Sequence, residues 1–281
     1  KPYLKSRGIS SLRGVFVSHP DEDHMNGVLE LMENGEEWGI TAEQLFLPAI
    51  RESERRETFE QLLAAAEDAG IPVSYRKCGD ESRDSQLRLL CLNPEENTTL
   101  ADANAYSECF YVEVFAKKMK QEAIDDRKAN DASGASAIGK ISILLTGDVE
   151  GEGERQLTQK LQALQESRSL QESRSLQESQ SLQTTRRLQE QHGQRKFRVD
   201  ILKVAHHGSG YSTGTEFLAT ASPATAIISC GRNNSYGHPH VETLQRLEDA
   251  RVPWYGTMDY GALTVNVDSH GNRLRGYRRR K

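Results

Sequence analysis

The sequence predicts an α/β protein, and three observations predict it. Four short apolar runs, Gly14 to Ser18, Ile141 to Thr146, Asp200 to Ala205 and Ala224 to Cys230, lack the alternation of a half-exposed strand. Such runs read as strands buried on both faces. Segments of helical period lie between them, and each run ends in residues rich in His, Asp, Gly or Ser, where loops carried by a rigid sheet gather functional groups.

The elements follow in order. Val15, Phe16 and Val17 lead into His19, Pro20, Asp21, Glu22, Asp23 and His24. If this stretch is extended, alternate side chains point the same way, so His19 and Asp21 can share one metal ion while Asp23 and His24 reach a neighbouring one. Asp23 alternatively caps a helix beginning near Met25. Thr58 to Ala69 reads as an amphipathic helix closed by Gly70, with Pro72 as a stop signal. Leu87 to Leu92 and Glu108 to Phe115 read as strands. Asn104 and Ser107 precede the second, placed either to orient substrate or a ligating carboxylate, or to open the strand as a local turn.

Lys117 to Lys140 is expected to be an inserted mobile loop, since it is charged and small with almost no large apolar residue. The next run ends in Thr146, Gly147 and Asp148. Gly147 permits a tight backbone approach, and a carboxylate there suits bridging two cations. Beyond it, Ser167 to Glu172 is repeated almost perfectly in Ser173 to Glu178, followed by a decayed copy. One leucine per six residues makes no coiled-coil stripe, so about residues 166–195 are expected to be a low-complexity linker.

The third run leads into His206, His207, Gly208 and Ser209, where one imidazole can ligate and the other support it through a hydrogen bond. The fourth leads into residues 231–240, whose Tyr236, Gly237, His238, Pro239 and His240 place imidazoles to protonate a leaving oxygen or bind phosphate, or else form a structural turn. Val241 to Ala250 closes the series as a helix.

Composition narrows the field. The 281 residues carry a net charge of -5 and a pI near 6.0, unlike a basic protein that coats nucleic acid. A DNA substrate would need a local basic patch. The basic stretch Arg278 to Lys281 suits such binding but is more often only solvated. No run approaches the ~20 apolar residues of a membrane span, and Lys1 to Gly8 lack the apolar core of a signal peptide. Cys78, Cys91, Cys109 and Cys230 form no C-x-x-C pair and read as core or strand residues.

Taken together, Pro2 to Ile9, Ser18 to His24, Thr146 to Asp148, Lys203 to Ser209 and Gly231 to Pro239 resemble the metallo-β-lactamase superfamily. The closer likeness is to the soluble metallo-β-lactamase-like domain of the ComEC DNA-uptake proteins, in which Asp21 stands where the wider superfamily has histidine. The resemblance implies an αββα sandwich over residues 1–281, interrupted by the insertions at about 117–140 and 166–195. It also implies a strand pair with an Asp-Gly-Gly turn ahead of Lys1, so the chain is expected to lack its first N-terminal strands.

By the same resemblance, His19, Asp21, Asp23, His24, Asp148 and His207 hold two divalent ions, Mn²⁺ or Zn²⁺. One ion has fewer protein ligands, because the superfamily's third histidine motif is absent around Asn104 to Ser107. Asp23 and His238 are the catalytic candidates, and His206, Ser209, Asn104, Ser107 and Asn234 touch the ligands or the substrate. The expected activity is phosphodiester hydrolysis of a DNA strand during uptake, beside the membrane-embedded channel of a ComEC-like parent; no obligate protein partner is inferable from the sequence. Such a domain faces outward from the bacterial cytoplasmic membrane; an independent enzyme would be cytoplasmic. The alternatives are a small-molecule metallo-hydrolase of the same fold, or an inactive nucleic-acid-binding module.

Overall fold

The computed structural model describes residues 1–96, 103–115, 140–178, 199–268 and 271–276. The first part of the chain contributes helix α1 (Pro2–Ser6), strands β1 (Ser11–Leu12) and β2 (Val15–Phe16), helix α2 (Glu22–Trp38), and strands β3 (Thr41–Ala42) and β4 (Leu45–Pro48). Helix α3 (Glu57–Asp68) and strand β5 (Val73–Arg76) follow. β2, β4 and β5 form a parallel three-stranded sheet in that order.

Next come β6 (Glu81–Arg83), β7 (Leu87–Asn93), β8 (Cys109–Phe115), β9 (Lys140–Leu145), α4 (Gly151–Glu178), β10 (Ile201–Lys203), α5 (Thr215–Ala221), β11 (Thr225–Ile228), α6 (Val241–Asp249) and β12 (Trp254–Gly256). These strands make a seven-stranded sheet of order β12-β11-β10-β9-β8-β7-β6. It is parallel from β12 to β9 and antiparallel from there to β6. The parallel half arises because α4, α5 and α6 each carry the chain back between successive strands, as a parallel pair requires. β13 (Leu263–Asp268) and β14 (Gly271–Gly276) close the described chain as an antiparallel hairpin.

Alternation along the strands builds four layers. Leu45 and Leu47 of β4 face Phe59, Leu62 and Ala66 of α3 and Met25 and Met32 of α2, residues at helical spacing. On the opposite face, Phe46 stacks on Phe16 at 4.3 Å, and Phe16 meets Phe110 of β8 edge-on at 5.4 Å. Phe110 and Val112 point into this inter-sheet layer with Cys91. Their neighbours Cys109 and Tyr111 face Leu157 and Leu161 of α4 and Phe217 of α5. The order is helices, sheet, sheet, helices: the αββα sandwich the resemblance implies.

Three local expectations change. The stretch from His19 is extended only as far as Asp21, because α2 begins at Glu22 with Asp21 as its N-cap residue; Asp23 and His24 lie in its first turn. The linker expected from Glu166 is instead helical through Glu178. Leu, Gln, Glu and Arg, four of the six positions of the repeat, are strong helix formers. Residues 179–198 lie outside the described residues, as do 116–139, which hold nearly all of the first insertion, and the basic stretch at 278–281. Finally, Cys78 sits in a turn rather than a strand. All four cysteines are free thiols, Cys91 and Cys109 buried. Among the described residues, no helix is long and apolar enough to cross a membrane.

Candidate metal centre

The segments that follow β2, β9, β10 and β11 meet at the C-terminal ends of these strands, the end at which open α/β sheets place their sites. The Ser18 carbonyl accepts the Glu108 N–H at 2.6 Å, tying the two sheets together there. Gly147 has a φ of +51°, and a Cβ on it would lie 2.8 Å from the Ser107 Cβ, so glycine is required where Thr146–Asp148 turns. Ser107 Oγ accepts the Asp148 N–H at 3.0 Å, and Thr146 Oγ1 donates to the Lys203 carbonyl at 2.6 Å. His206 and His207 both adopt left-handed backbone, φ 45° and 54°. Such conformations cost energy in non-glycine residues and cluster at functional sites.

Four side chains converge. One ligand atom from each of Asp23, His24, Asp148 and His207 lies within 4.8 Å of all the others, the one such group among the described residues. His24 Nε2 and His207 Nε2 are 3.2 Å apart, and each is 3.3 Å from Asp148 Oδ2. Asp23 Oδ2 is 3.7 Å from His24 Nε2 and 3.6 Å from His207 Nε2. A metal bound tetrahedrally at ~2.0–2.1 Å separates its ligands by about 3.3 Å, so these spacings fit one.

Proton accounting agrees. His207 Nδ1 is 2.6 Å from the Ser229 carbonyl, which can only accept; in the neutral ring Nε2 therefore carries a lone pair. His24 Nδ1 lies 2.9 Å from Ser18 Oγ, and when it donates there, its Nε2 is a second lone pair. Two imidazole lone pairs and a carboxylate oxygen thus face one point. That is favourable only around a cation, with the outer hydrogen bonds fixing each ring.

The electrostatics follow. Burial works against the Asp148 carboxylate, but its close contacts with His207 and His24 and the charge of Lys203 outweigh it and hold the group ionised far below the usual range. The contact with Asp148 correspondingly raises the His207 pKa. Lys203 donates to the Gly147 carbonyl at 2.9 Å and stands 3.5 Å from Asp148 Oδ1; burial lowers its pKa while Asp148 opposes that. His206 stands outside the four. Its Nδ1 is 3.0 Å from Glu150 Oε2, which raises its pKa, and its Nε2 is 3.9 Å from Asp148 Oδ2. Asn104 donates to the other Glu150 oxygen at 3.1 Å, so it reaches the site through Glu150.

His19 and Asp21 lie beside the group rather than in it. His19 is buried, with Nε2 3.5 Å from Asp21 Oδ2, and Arg56 donates to Asp21 Oδ1 at 2.5 Å. The contact with His19 holds Asp21 below the ordinary carboxylate range. The histidines of the last loop separate cleanly. His240 is held at both nitrogens, accepting from the Gly210 N–H and contacting the Tyr236 carbonyl, and so is structural. His238 stands near the rings of His206 and His207, 5.5 and 6.2 Å between centroids, with its pKa lowered by burial and by the neighbouring imidazoles.

Asn234 binds the backbone of Gly231 and His238, shaping the loop instead of offering its amide to a substrate. Ser209 accepts the Tyr211 N–H and is likewise part of the loop. Glu150, Lys203 and Arg56 were given no role by the sequence reasoning. A lysine inside a buried apolar strand was a readable signal for Lys203; nothing distinguished Arg56.

These features define a class: an αββα sandwich with a His/Asp centre built on loops at strand ends. No family model matches the chain. It is 28% identical to ComE operon protein 3 of Bacillus subtilis (strain 168) over 92% of its own length and 26% of that protein. It is 25% identical to Recombination protein 2 of Haemophilus influenzae over 94% of its length and 23% of that protein. The chain thus spans about a quarter of the length of these curated relatives. Among solved structures it is similar to the CmlA beta-hydroxylase E377D mutant, with a TM-score of 0.42 and 8% identity, over 88% of this chain and 43% of that one.

Proposed function

We propose that the chain is a metal-dependent hydrolase of the metallo-β-lactamase type, acting on a DNA strand as the soluble domain of a ComEC-like DNA-uptake protein. The hydrolase reading rests on the convergence of Asp23, His24, Asp148 and His207 upon one point at the strand ends. A divalent ion held there, Mn²⁺ or Zn²⁺, supplies a Lewis acid for charge developing on a phosphoryl oxygen.

The protein's own groups do the rest. Asp23, 65% exposed, is the member on the solvent side, where substrate arrives. His238, whose pKa burial lowers, would protonate the leaving oxygen from its minor imidazolium form and end as the neutral ring. His206, held by Glu150, and Ser107, through the Asp148 N–H, keep the ligands in place.

Exposed aromatic rings favour a strand over a small molecule. Tyr211 and Tyr236 are 85% and 75% exposed on the loops that carry His207 and His238, and Arg56 and Arg232 are exposed as well. Rings that stack bases beside cations that meet phosphates are how single strands are bound without sequence preference. In the parent protein, the domain would stand on the extracytoplasmic face beside the membrane channel.

The test is hydrolysis of labelled single-stranded DNA with Mn²⁺, Zn²⁺ or chelator, with an Asp23→Ala/His24→Ala variant alongside. Metal-dependent cleavage that falls at least 100-fold in the variant is expected. Folded, metal-loaded protein that leaves DNA intact, or a variant as active as the parent, would refute the nuclease reading.

A further inference from the structure

We infer that the centre holds one divalent ion, that Lys203 and Arg56 stand in for a second, and that His19 and Asp21 are a hydrogen-bonded pair instead of ligands. This deepens the metal reading above and rests on it.

A carboxylate that bridges two cations through separate oxygens needs both of them free. Asp148 offers Oδ2 to His24 and His207, but its Oδ1 faces the Lys203 ammonium at 3.5 Å, and that ammonium is fixed by the Gly147 carbonyl at 2.9 Å. Asp21 is engaged in the same way, Oδ1 by Arg56 at 2.5 Å and Oδ2 by His19 Nε2 at 3.5 Å. Both carboxylates that a second ion would use therefore already carry a side-chain partner.

Ser18 accounts for His19. Its Oγ lies 2.9 Å from His24 Nδ1 and 3.1 Å from His19 Nδ1. With Nε2 of His24 turned to the ion, His24 donates from Nδ1, and the Ser18 hydroxyl proton is left for His19 Nδ1. His19 then carries its proton on Nε2, which faces Asp21 as a donor and has no lone pair to give a metal. Among the described residues no imidazole replaces it from the Asn104 side, where Asn104 is spent on Glu150 and Ser107 on the Asp148 N–H.

The experiment is the stoichiometry of Mn²⁺ bound to the whole chain after gel filtration, read by elemental analysis and by electron paramagnetic resonance. One equivalent per chain with an isolated six-line signal is expected, and Asp21→Asn, at a half-exposed position, should still bind one. Two equivalents with a spin-coupled signal, or loss of an equivalent in Asp21→Asn, would overturn the inference while leaving a metal centre. No bound metal in the folded parent would remove the metal reading itself.

Discussion

Arg246 of α6 clamps the loop that carries His206 and His207, and its replacement by methionine keeps the aliphatic volume while deleting the clamp. Nε donates to the Thr213 carbonyl at 3.1 Å, and Nη2 lies 3.0 Å from the Gly210 carbonyl, 2.9 Å from that of Ser212 and 2.9 Å from Thr243 Oγ1. Ser212 and Thr213 are fully buried, so water does not readily replace the lost donor. Hydrogen bonds to a charged group contribute about 1.5–3 kcal/mol each. Two buried carbonyls left unpaired, with Gly210 partly hydrated, therefore give a loss of about 3–6 kcal/mol. Urea unfolding of Arg246→Met should show that loss, and Mn²⁺ affinity should fall about tenfold as the His207 backbone relaxes. Arg246→Lys should recover only part, because one ammonium cannot span acceptors arranged around a planar fork. A destabilisation below about 1 kcal/mol would refute the view that this arginine organises the loop.

Other perturbations test other parts. In Gly153→Ala the new Cβ would lie 2.4 Å from the Ala105 carbonyl oxygen; the overpacking should cost about 1–3 kcal/mol in a thermal melt, and an unchanged melt would show that α4 does not sit this close to the Asn104–Tyr106 turn. Glu108 is buried with no hydrogen-bond partner on either oxygen among the described residues, and burial raises its pKa well above the ordinary value. The unfolded chain therefore loses this proton first, from about pH 4.3 upward, so stability should fall as pH rises from there, by at most ~1.4 kcal/mol per unit, until the folded carboxyl ionises. Glu108→Met should remove that slope, and an identical pH profile would count against a neutral carboxyl. Tyr211→Ala and Tyr236→Ala should each weaken single-stranded DNA binding about 5- to 150-fold, the equivalent of ~1–3 kcal/mol of stacking, with Mn²⁺ stoichiometry unchanged; unchanged DNA affinity would argue for a small-molecule substrate.

Much of the fold was legible because the parallel strands are buried on both faces and announce themselves as apolar runs. The runs around Ile143, Leu202 and Ile228 became β9, β10 and β11, and the segments after them meet at one end. Asp23, His24, Asp148 and His207 were legible for the same reason, since each lies just beyond a strand. What the sequence hid were pairings made in three dimensions. Arg56 meets Asp21 across 35 positions of chain and Lys203 meets Asp148 across 55, and neither partner carries a local pattern that names the other. His238 and His240 look alike in the chain and were separated only by the Gly210 N–H and Tyr236 carbonyl, which engage His240. The repeat after Glu166 reads as linker because its leucines make no stripe, whereas helix persistence there follows from backbone propensity.

The repeated end of α4 has a geometric consequence of its own. The helix is anchored near its start by Leu157 and Leu161 in the core and by Glu154, which accepts the Thr213 and Gly214 N–H groups of the histidine loop; by Leu170 the side chain is 61% exposed. Six residues of helix advance about 9 Å along the axis and about 240° around it. Gaining or losing one copy would thus move the described end of α4 by a fixed step and turn it to another side, while β10, held between β9 and β11, and the metal centre stay where they are. Reach and direction beyond the body are set in units of the repeat, independently of the chemistry at its base.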